Sequence, residues 1–185
     1  RSRGLGDVYK RQIQADIYKG WALAAHGDTA GGVELIDRGV TRFHDAGATL
    51  NEAYYLGLYA DTELHGRRPQ HAMELLDEAQ ARIEATTRAY FFQSELLRLR
   101  ARGLLQLGGS GSDDAARDAL DRSQAVAGKQ GSPAFALRTV SDRVDLELAH
   151  GDASPWKAEL SELLGIYDGQ EPTVDVVRAR RLLEA

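Results

Sequence analysis

Four times along this chain an apolar, helix-like stretch runs into a glycine and a second amphipathic stretch follows: Ala25-His26-Gly27-Asp28, Leu64-His65-Gly66-Arg67, Gln106-Leu107-Gly108-Gly109 and Ala149-His150-Gly151-Asp152. The glycines stand 39, 42 and 43 residues apart. One helix pair cannot bury its apolar face alone, so recurrence at this period predicts helix hairpins stacked side by side, each covering the next. The expectation is an all-α, right-handed superhelical solenoid of about four hairpins closed by a C-terminal capping helix.

The units read as 13–46, 51–86, 90–129 and 133–167, with the capping helix over 173–184. Spacings of three and four residues place Val33, Ile36, Val40 and Phe43 on one helix face, and Ala72, Leu76, Ala79 and Ile83 on another. Phe92, Leu96, Leu99 and Leu107, then Ala116, Leu120, Ser123 and Ala127, make the corresponding stripes of the third unit. Leu137, Val140, Val144 and Leu148, then Trp156, Leu160, Leu163 and Tyr167, make those of the fourth. The turn Gly66-Arg67-Arg68-Pro69 combines a left-handed stop at glycine with a proline suited to the first helical turn, and Ser112 is placed to cap its helix. Arg178, Arg180, Arg181 and Glu184 give the closing helix a polar outer face. Strand signals are weak, because no window alternates apolar and polar residues between turn signals; Ala89-Tyr90-Phe91-Phe92 comes nearest and reads better as a helix start.

The first twelve residues stand apart. Asp7-Val8-Tyr9-Lys10-Arg11-Gln12 back-translates to GAT-GTG-TAT-AAG-AGA-CAG, which resembles the transposase adapter end used in preparing sequencing libraries. On that reading Arg1 to Gln12 is translated adapter, excluded from fold reasoning, and the repeat domain occupies 13–185. The alternative is an ordinary basic, polar helix turn. Without the segment the chain keeps 19 basic and 27 acidic residues, a net charge of −8 in place of −5. Phosphate-backbone binding needs lysine and arginine to displace counterions, so this acidity argues against nucleic acid as a partner. No apolar run approaches a bilayer-crossing length, no segment has signal-peptide order, and cysteine is absent, which together suggest a cytoplasmic chain with no membrane partner.

Several segments resemble a known family. Ala15-Asp16-Ile17-Tyr18-Lys19-Gly20-Trp21-Ala22-Leu23-Ala24 and Ser94-Glu95-Leu96-Leu97-Arg98-Leu99-Arg100-Ala101-Arg102-Gly103 resemble the C-terminal tetratricopeptide-like region of large bacterial signalling proteins. So do Ser132-Pro133-Ala134-Phe135-Ala136-Leu137-Arg138-Thr139 and the ending from Leu163-Leu164-Gly165-Ile166-Tyr167 to Arg181-Leu182-Leu183. Those relatives carry an adenylate or guanylate cyclase domain, or another output domain, ahead of an AAA-type ATPase. The resemblance implies a regulatory or scaffold segment, with any cyclase or ATPase chemistry residing elsewhere. The linker Asp168-Gly169-Gln170-Glu171-Pro172 is shorter than in such relatives, and the repeat period exceeds the usual value of about 34 residues.

Motifs for chemistry are sparse. Gly108-Gly109-Ser110-Gly111-Ser112-Asp113-Asp114 is glycine-rich, yet it lacks the lysine of a phosphate-binding loop and places two acids where phosphate would be repelled. Gly109-Ser110-Gly111 lacks nucleophile-elbow spacing. His26, His65 and His150 precede turn glycines, where an imidazole can meet the last carbonyls of a helix, and His65 with His71 lacks the placed carboxylates of a metal site. Asp61 with Glu63, Asp77 with Glu78 and Asp113 with Asp114 read as solvated helix faces. No catalytic, cofactor-binding or metal-ligating residue is assigned.

The functional surface expected from a solenoid is a concave groove lined by the first helix of each pair, where extended peptides or partner helices lie. Tyr54, Tyr55 and Tyr59, followed by Arg98 and Arg102, are its candidate contacts, since aromatics and arginine are enriched at binding hot spots. Arg100, between the two arginines, cannot share their face. The function read from the sequence is a non-catalytic protein-interaction or regulatory module, whose partner is a protein, a peptide or a neighbouring domain of the same polypeptide. The alternative is a small-ligand or peptide sensor controlling an attached ATPase or cyclase. A helical enzyme is the third reading.

Overall fold

The structure, a computed structural model, describes residues 2–47, 51–85, 90–150 and 152–185. Arg1, Thr86, Ala89 and Gly151, on which parts of the sequence reading fall, lie outside them. The described residues form helices without strands: α1 (Ser2–Ala25), α2 (Thr29–Asp45), α3 (Glu52–His65), α4 (Pro69–Glu84), α5 (Gln93–Leu107), α6 (Ser112–Gln130), α7 (Pro133–His150), α8 (Ser154–Gly165) and α9 (Val174–Glu184). None is long and apolar enough to cross a membrane. The chain divides into two compact units, Arg1–Tyr90 and Phe91–Ala185.

One packing rule holds inside each unit. In the first, α1 pairs with α2 and α3 with α4, while α3 also packs on α1 and on α2. In the second, α5 pairs with α6 and α7 with α8; α7 packs on α5 and α6, and α9 packs on α7 and α8. Among the described residues the backbones of the second helices, α2 with α4 and α6 with α8, do not come together, so a first helix forms the floor between two walls.

Glycine sets the spacing of α1 and α2. The buried stripe of α2 is Gly32, Ile36, Gly39 and Phe43, whereas Val33 and Val40, expected inside, are only half-buried. A Cβ at Gly32 would lie 2.6 Å from the Gly20 carbonyl oxygen, and one at Gly39 would lie 2.7 Å from the Ile17 side chain and 3.1 Å from its backbone nitrogen. The helices therefore meet backbone to backbone, a contact that hydrophobicity does not reveal because glycine has no side chain to count.

The stripes of α4 and α6 are buried as expected, at Ala72, Leu76, Ala79 and Ile83 and at Ala116, Leu120, Ser123 and Ala127. Leu107 and Leu148 are not: each is 41% exposed, in the last turn of its helix. On α8, Leu160 and Leu164 are the buried residues, with Trp156, Leu163 and Tyr167 packed at the edge of the cluster they share with Val176, Ala179 and Leu182 of α9.

Three local expectations change. The left-handed residue in the α3–α4 turn is Arg67 (φ 57°), while Gly66 sits at φ −76°. Gly111, at φ 80°, takes the capping position before α6, so Ser112 is the first helical residue. Arg178 leaves the outer face of α9 and turns inward to Asp142 at 2.6 Å and to Asp145.

Candidate functional site

In the first unit α2 and α4 stand apart over α3 and leave a cleft of about 330 Å³. Helical spacing supplies each side: Asp37, Thr41 and His44 from α2, His71, Leu75 and Glu78 from α4, and Glu52, Tyr55, Leu56 and Tyr59 from the floor. At one end, Glu52 is held between His44 Nδ1 at 3.3 Å and Arg82 Nε at 3.5 Å, while another Arg82 nitrogen donates to Glu78 at 2.8 Å. At the other, the Tyr59 hydroxyl donates to Asp37 at 3.0 Å and the His71 ring stands edge-on to Tyr59, 5.4 Å between centroids. His71 Nδ1 lies 3.2 Å from the buried Glu63 carboxylate, which Arg68 Nε approaches to 2.5 Å. Burial first, then the bond to Asp37 and its negative charge, pushes the Tyr59 hydroxyl far above its ordinary pKa, so it remains a donor.

Of the five candidate residues, Tyr55 and Tyr59 meet in this cleft. Tyr55 is 1% exposed; its ring packs at 4.9 Å on Phe43, and its hydroxyl accepts from Gln14 Nε2 at 2.9 Å. Tyr54 is half-buried against Tyr18 and Tyr55. Arg98 is buried in the second unit, donating to Glu95 at 2.7 and 2.9 Å and to Asp142 at 2.6 Å. Arg102 lines a separate cleft of about 330 Å³ in that unit, with Gln106, Asp142, Asp145, His150 and Arg178. The sequence pattern marked Arg98 as a hot-spot type, but the carboxylates that engage it lie both three residues on the N-terminal side and on α7, the latter invisible to local spacing.

The histidines divide similarly. His26 and His65 turn Nδ1 to the carbonyl oxygens of Ala22 and Asp61, each at 2.8 Å, closing their helices. His150 instead reaches Asp113 at 3.3 Å. Among the described residues no three His, Asp or Glu side chains form a group able to hold a metal ion.

The open cleft has a filled counterpart. A shift of 84 residues carries Gly47 onto Gly131, both left-handed at φ 63° and 60°. The same shift lays α2 within α6 and α3 within α7, and lays α4 over α8. It matches Asp37 with Asp121 and Glu63 with Glu147, the buried Ile36 and Leu76 with Leu120 and Leu160, and Tyr59 with Arg143. Between α6 and α8 the space is about 10 Å³. Arg143 fills it: one nitrogen bonds Asp121 at 2.6 Å and another bonds Glu147 at 2.8 Å, with the guanidinium 4.2 Å over the Trp156 ring. Gln124 of α6 donates to Glu159 of α8 at 2.6 Å, tying the walls together. In the first unit Val40 and Leu75 stand where that bridge would be, Ala72 where Trp156 would be, and Tyr59 where Arg143 would be. The first cleft therefore keeps the acidic frame and lacks the side chains that close the second.

Compared with known proteins, the chain matches no family model, and no curated protein matches it in sequence.

Proposed function

We propose that the chain is a non-catalytic docking module in which the α2–α3–α4 groove receives a segment of a protein partner. The observation that carries this is the difference between matching corners of the two units: about 330 Å³ is open in one and about 10 Å³ in the other. A fold that closes this corner with its own side chains once has the means to close it twice, so the open copy is the one available to an outside group. Its volume is at the low end for small-molecule sites of about 300–1,000 Å³ and suits a few anchoring side chains better than a whole cofactor. Paired helices with first helices packed on first helices also support the tetratricopeptide-like reading. On that resemblance the module belongs to a cytoplasmic bacterial signalling protein and transmits partner occupancy to a cyclase or ATPase domain.

Selection of a random dodecapeptide library on the whole chain tests the docking reading. Thr41 is an exposed residue of the α2 wall, and Thr41→Trp narrows the groove without touching the core. Selected peptides are expected to bind the wild-type chain and to lose at least about tenfold in affinity on this variant, the scale of a hot-spot contact. Peptides that bind both chains equally, or no selected peptide at all, would overturn the reading, and a saturable thermal stabilisation by one metabolite in their place would favour the sensor.

A further inference from the structure

We infer that the partner segment enters the α2–α3–α4 groove with an arginine, whose guanidinium seats against Asp37 and Glu78 beside the Tyr59 ring. This rests on the docking reading and goes beyond it by naming the chemistry of the occupant. The second unit supplies the template within the same chain. There, the corner formed by the helices matching α2, α3 and α4 holds a guanidinium, that of Arg143, between Asp121 and Glu147 and over an aromatic ring. The first unit retains the two acids at matching positions, Asp37 and Glu63, and replaces the arginine by Tyr59. The tyrosine hydroxyl meets Asp37 at 3.0 Å but brings no charge to it.

The charges of the groove point the same way. Among the described residues its lining carries three carboxylates, Asp37, Glu52 and Glu78, with no lysine or arginine. Arg82 reaches in to Glu52 and Glu78, and Arg68 is engaged by Glu63, so among the described residues the acids outnumber the cations that face them. Asp37 and Glu78 are exposed, on opposite walls. Between them the floor offers Tyr55, Leu56 and Tyr59, and the walls offer Val40 and Leu75, a lining suited to an arginine's aliphatic stem. A planar, weakly hydrated guanidinium uses two carboxylates and a ring face together better than a compact ammonium does, which selects arginine over lysine. The chain's net charge of −5 disfavours a second copy as the occupant.

N-acetylarginine methylamide, titrated into the isotope-labelled whole chain and followed by amide chemical shifts, tests the inference apart from any library peptide. Saturable shifts are expected at the amides around Asp37, Tyr59 and Glu78, with N-acetylcitrulline methylamide giving none and the lysine analogue binding several-fold more weakly. Asp37→Asn keeps an oxygen for the Tyr59 hydroxyl and removes the charge; together with Glu78→Gln it is expected to weaken arginine binding about tenfold, from two ion pairs of up to about 1 kcal/mol each. Equal binding of arginine and citrulline, or an affinity indifferent to the double variant, overturns the arginine seat. If Thr41→Trp still abolishes binding of library peptides in that case, the docking reading survives; if it does not, both fall.

Discussion

Replacing Gly32 by alanine tests the tightest contact in the first unit. An alanine Cβ there would stand 2.6 Å from the Gly20 carbonyl oxygen and 2.9 Å from both the backbone nitrogen and Cβ of Ala24. Most of these neighbours are backbone, so no flexible side chain can yield; reaching an ordinary contact of 3.4 Å requires α1 and α2 to separate by about 0.8 Å. Overpacking of this kind costs about 1–3 kcal/mol, and the better helix propensity of alanine returns up to about 1 kcal/mol. With the full return the net loss is up to about 2 kcal/mol, or up to about 15 °C in Tm for a unit of this size. Gly20→Ala meets the reciprocal obstacle, with Gly32 carbonyl oxygen and Ile36 nitrogen each at 2.7 Å. Once one alanine has separated the helices the second costs less, so the double variant should fall short of additivity by about 1 kcal/mol. Urea unfolding followed by Trp21 fluorescence, in a common Trp156→Phe background, reads the first unit alone. Gly128→Ala in α6 is the control, because a Cβ there meets nothing within 4 Å; in the unaltered background it should stabilise the second unit by about 0.5–1 kcal/mol. If Gly32→Ala also stabilises, the backbone contact between α1 and α2 is not made.

Three further outcomes follow from charge and burial. Arg98→Met removes the cation that bridges Glu95 and Asp142 inside the second unit but leaves Arg178 at 2.6 Å from Asp142 and Arg138 at 3.4 Å from Glu95; it should cost about 3 kcal/mol in urea unfolding, the low end for a broken buried pair, where a loss below about 1 kcal/mol would show the network to be solvated. Burial alone would raise the Asp142 carboxyl, but Arg98, Arg178 and Arg102 together hold it below its usual value. The unfolded chain then binds its proton more readily, so this stabilisation is complete at neutral pH and is lost as pH falls through the ordinary carboxylate range of about 4 and below; Asp142→Asn should flatten that acid dependence in a stability profile. Burial also raises Tyr18, Tyr55 and Tyr167, and pushes Tyr90 up to about 12. Tyrosinate absorbance at about pH 10.5 should therefore show much less ionisation in the folded chain than in urea, and equal ionisation would mean that these rings are open to water.

The helix order was legible because turn chemistry is local. Gly27, Gly108 and Pro69 mark helix boundaries within a residue or two of where the structure has them, and three-four spacing locates the buried faces of α4 and α6. On α2 it placed Ile36 and Phe43 correctly but not Val33 and Val40, because Gly32 and Gly39 complete the buried stripe and leave Val40 to line the groove. Position in the fold, not residue type, decided the candidate contacts. Tyr59 and Arg98 look alike as hot-spot residues; one lines an open cleft, and the other is enclosed by Glu95 and Asp142. A signal for the groove did lie in the sequence, in the 84-residue match of Asp37 to Asp121 and Glu63 to Glu147, but its meaning depends on knowing what Arg143 does between the second pair.

That correspondence allows the roles of the two corners to be exchanged. Arg143→Tyr with Trp156→Ala gives the second unit the residues that the first has at these positions, Tyr59 and Ala72. Arg143 is 8% exposed and bonds two carboxylates, so its loss is costly, yet Arg117 still holds Glu147 at 2.9 Å and Asp121 is open to water. The penalty should therefore stay below that of Arg98→Met, whose carboxylates also keep a second arginine each but are both buried: about 1–2 kcal/mol against about 3. The altered unit should also gain binding of N-acetylarginine methylamide at Asp121, because the frame that held its own guanidinium remains while the space is vacated. If the variant folds and its Asp121 region ignores arginine and citrulline alike, the acids alone do not define a guanidinium seat, and the same inference for Asp37 loses its template.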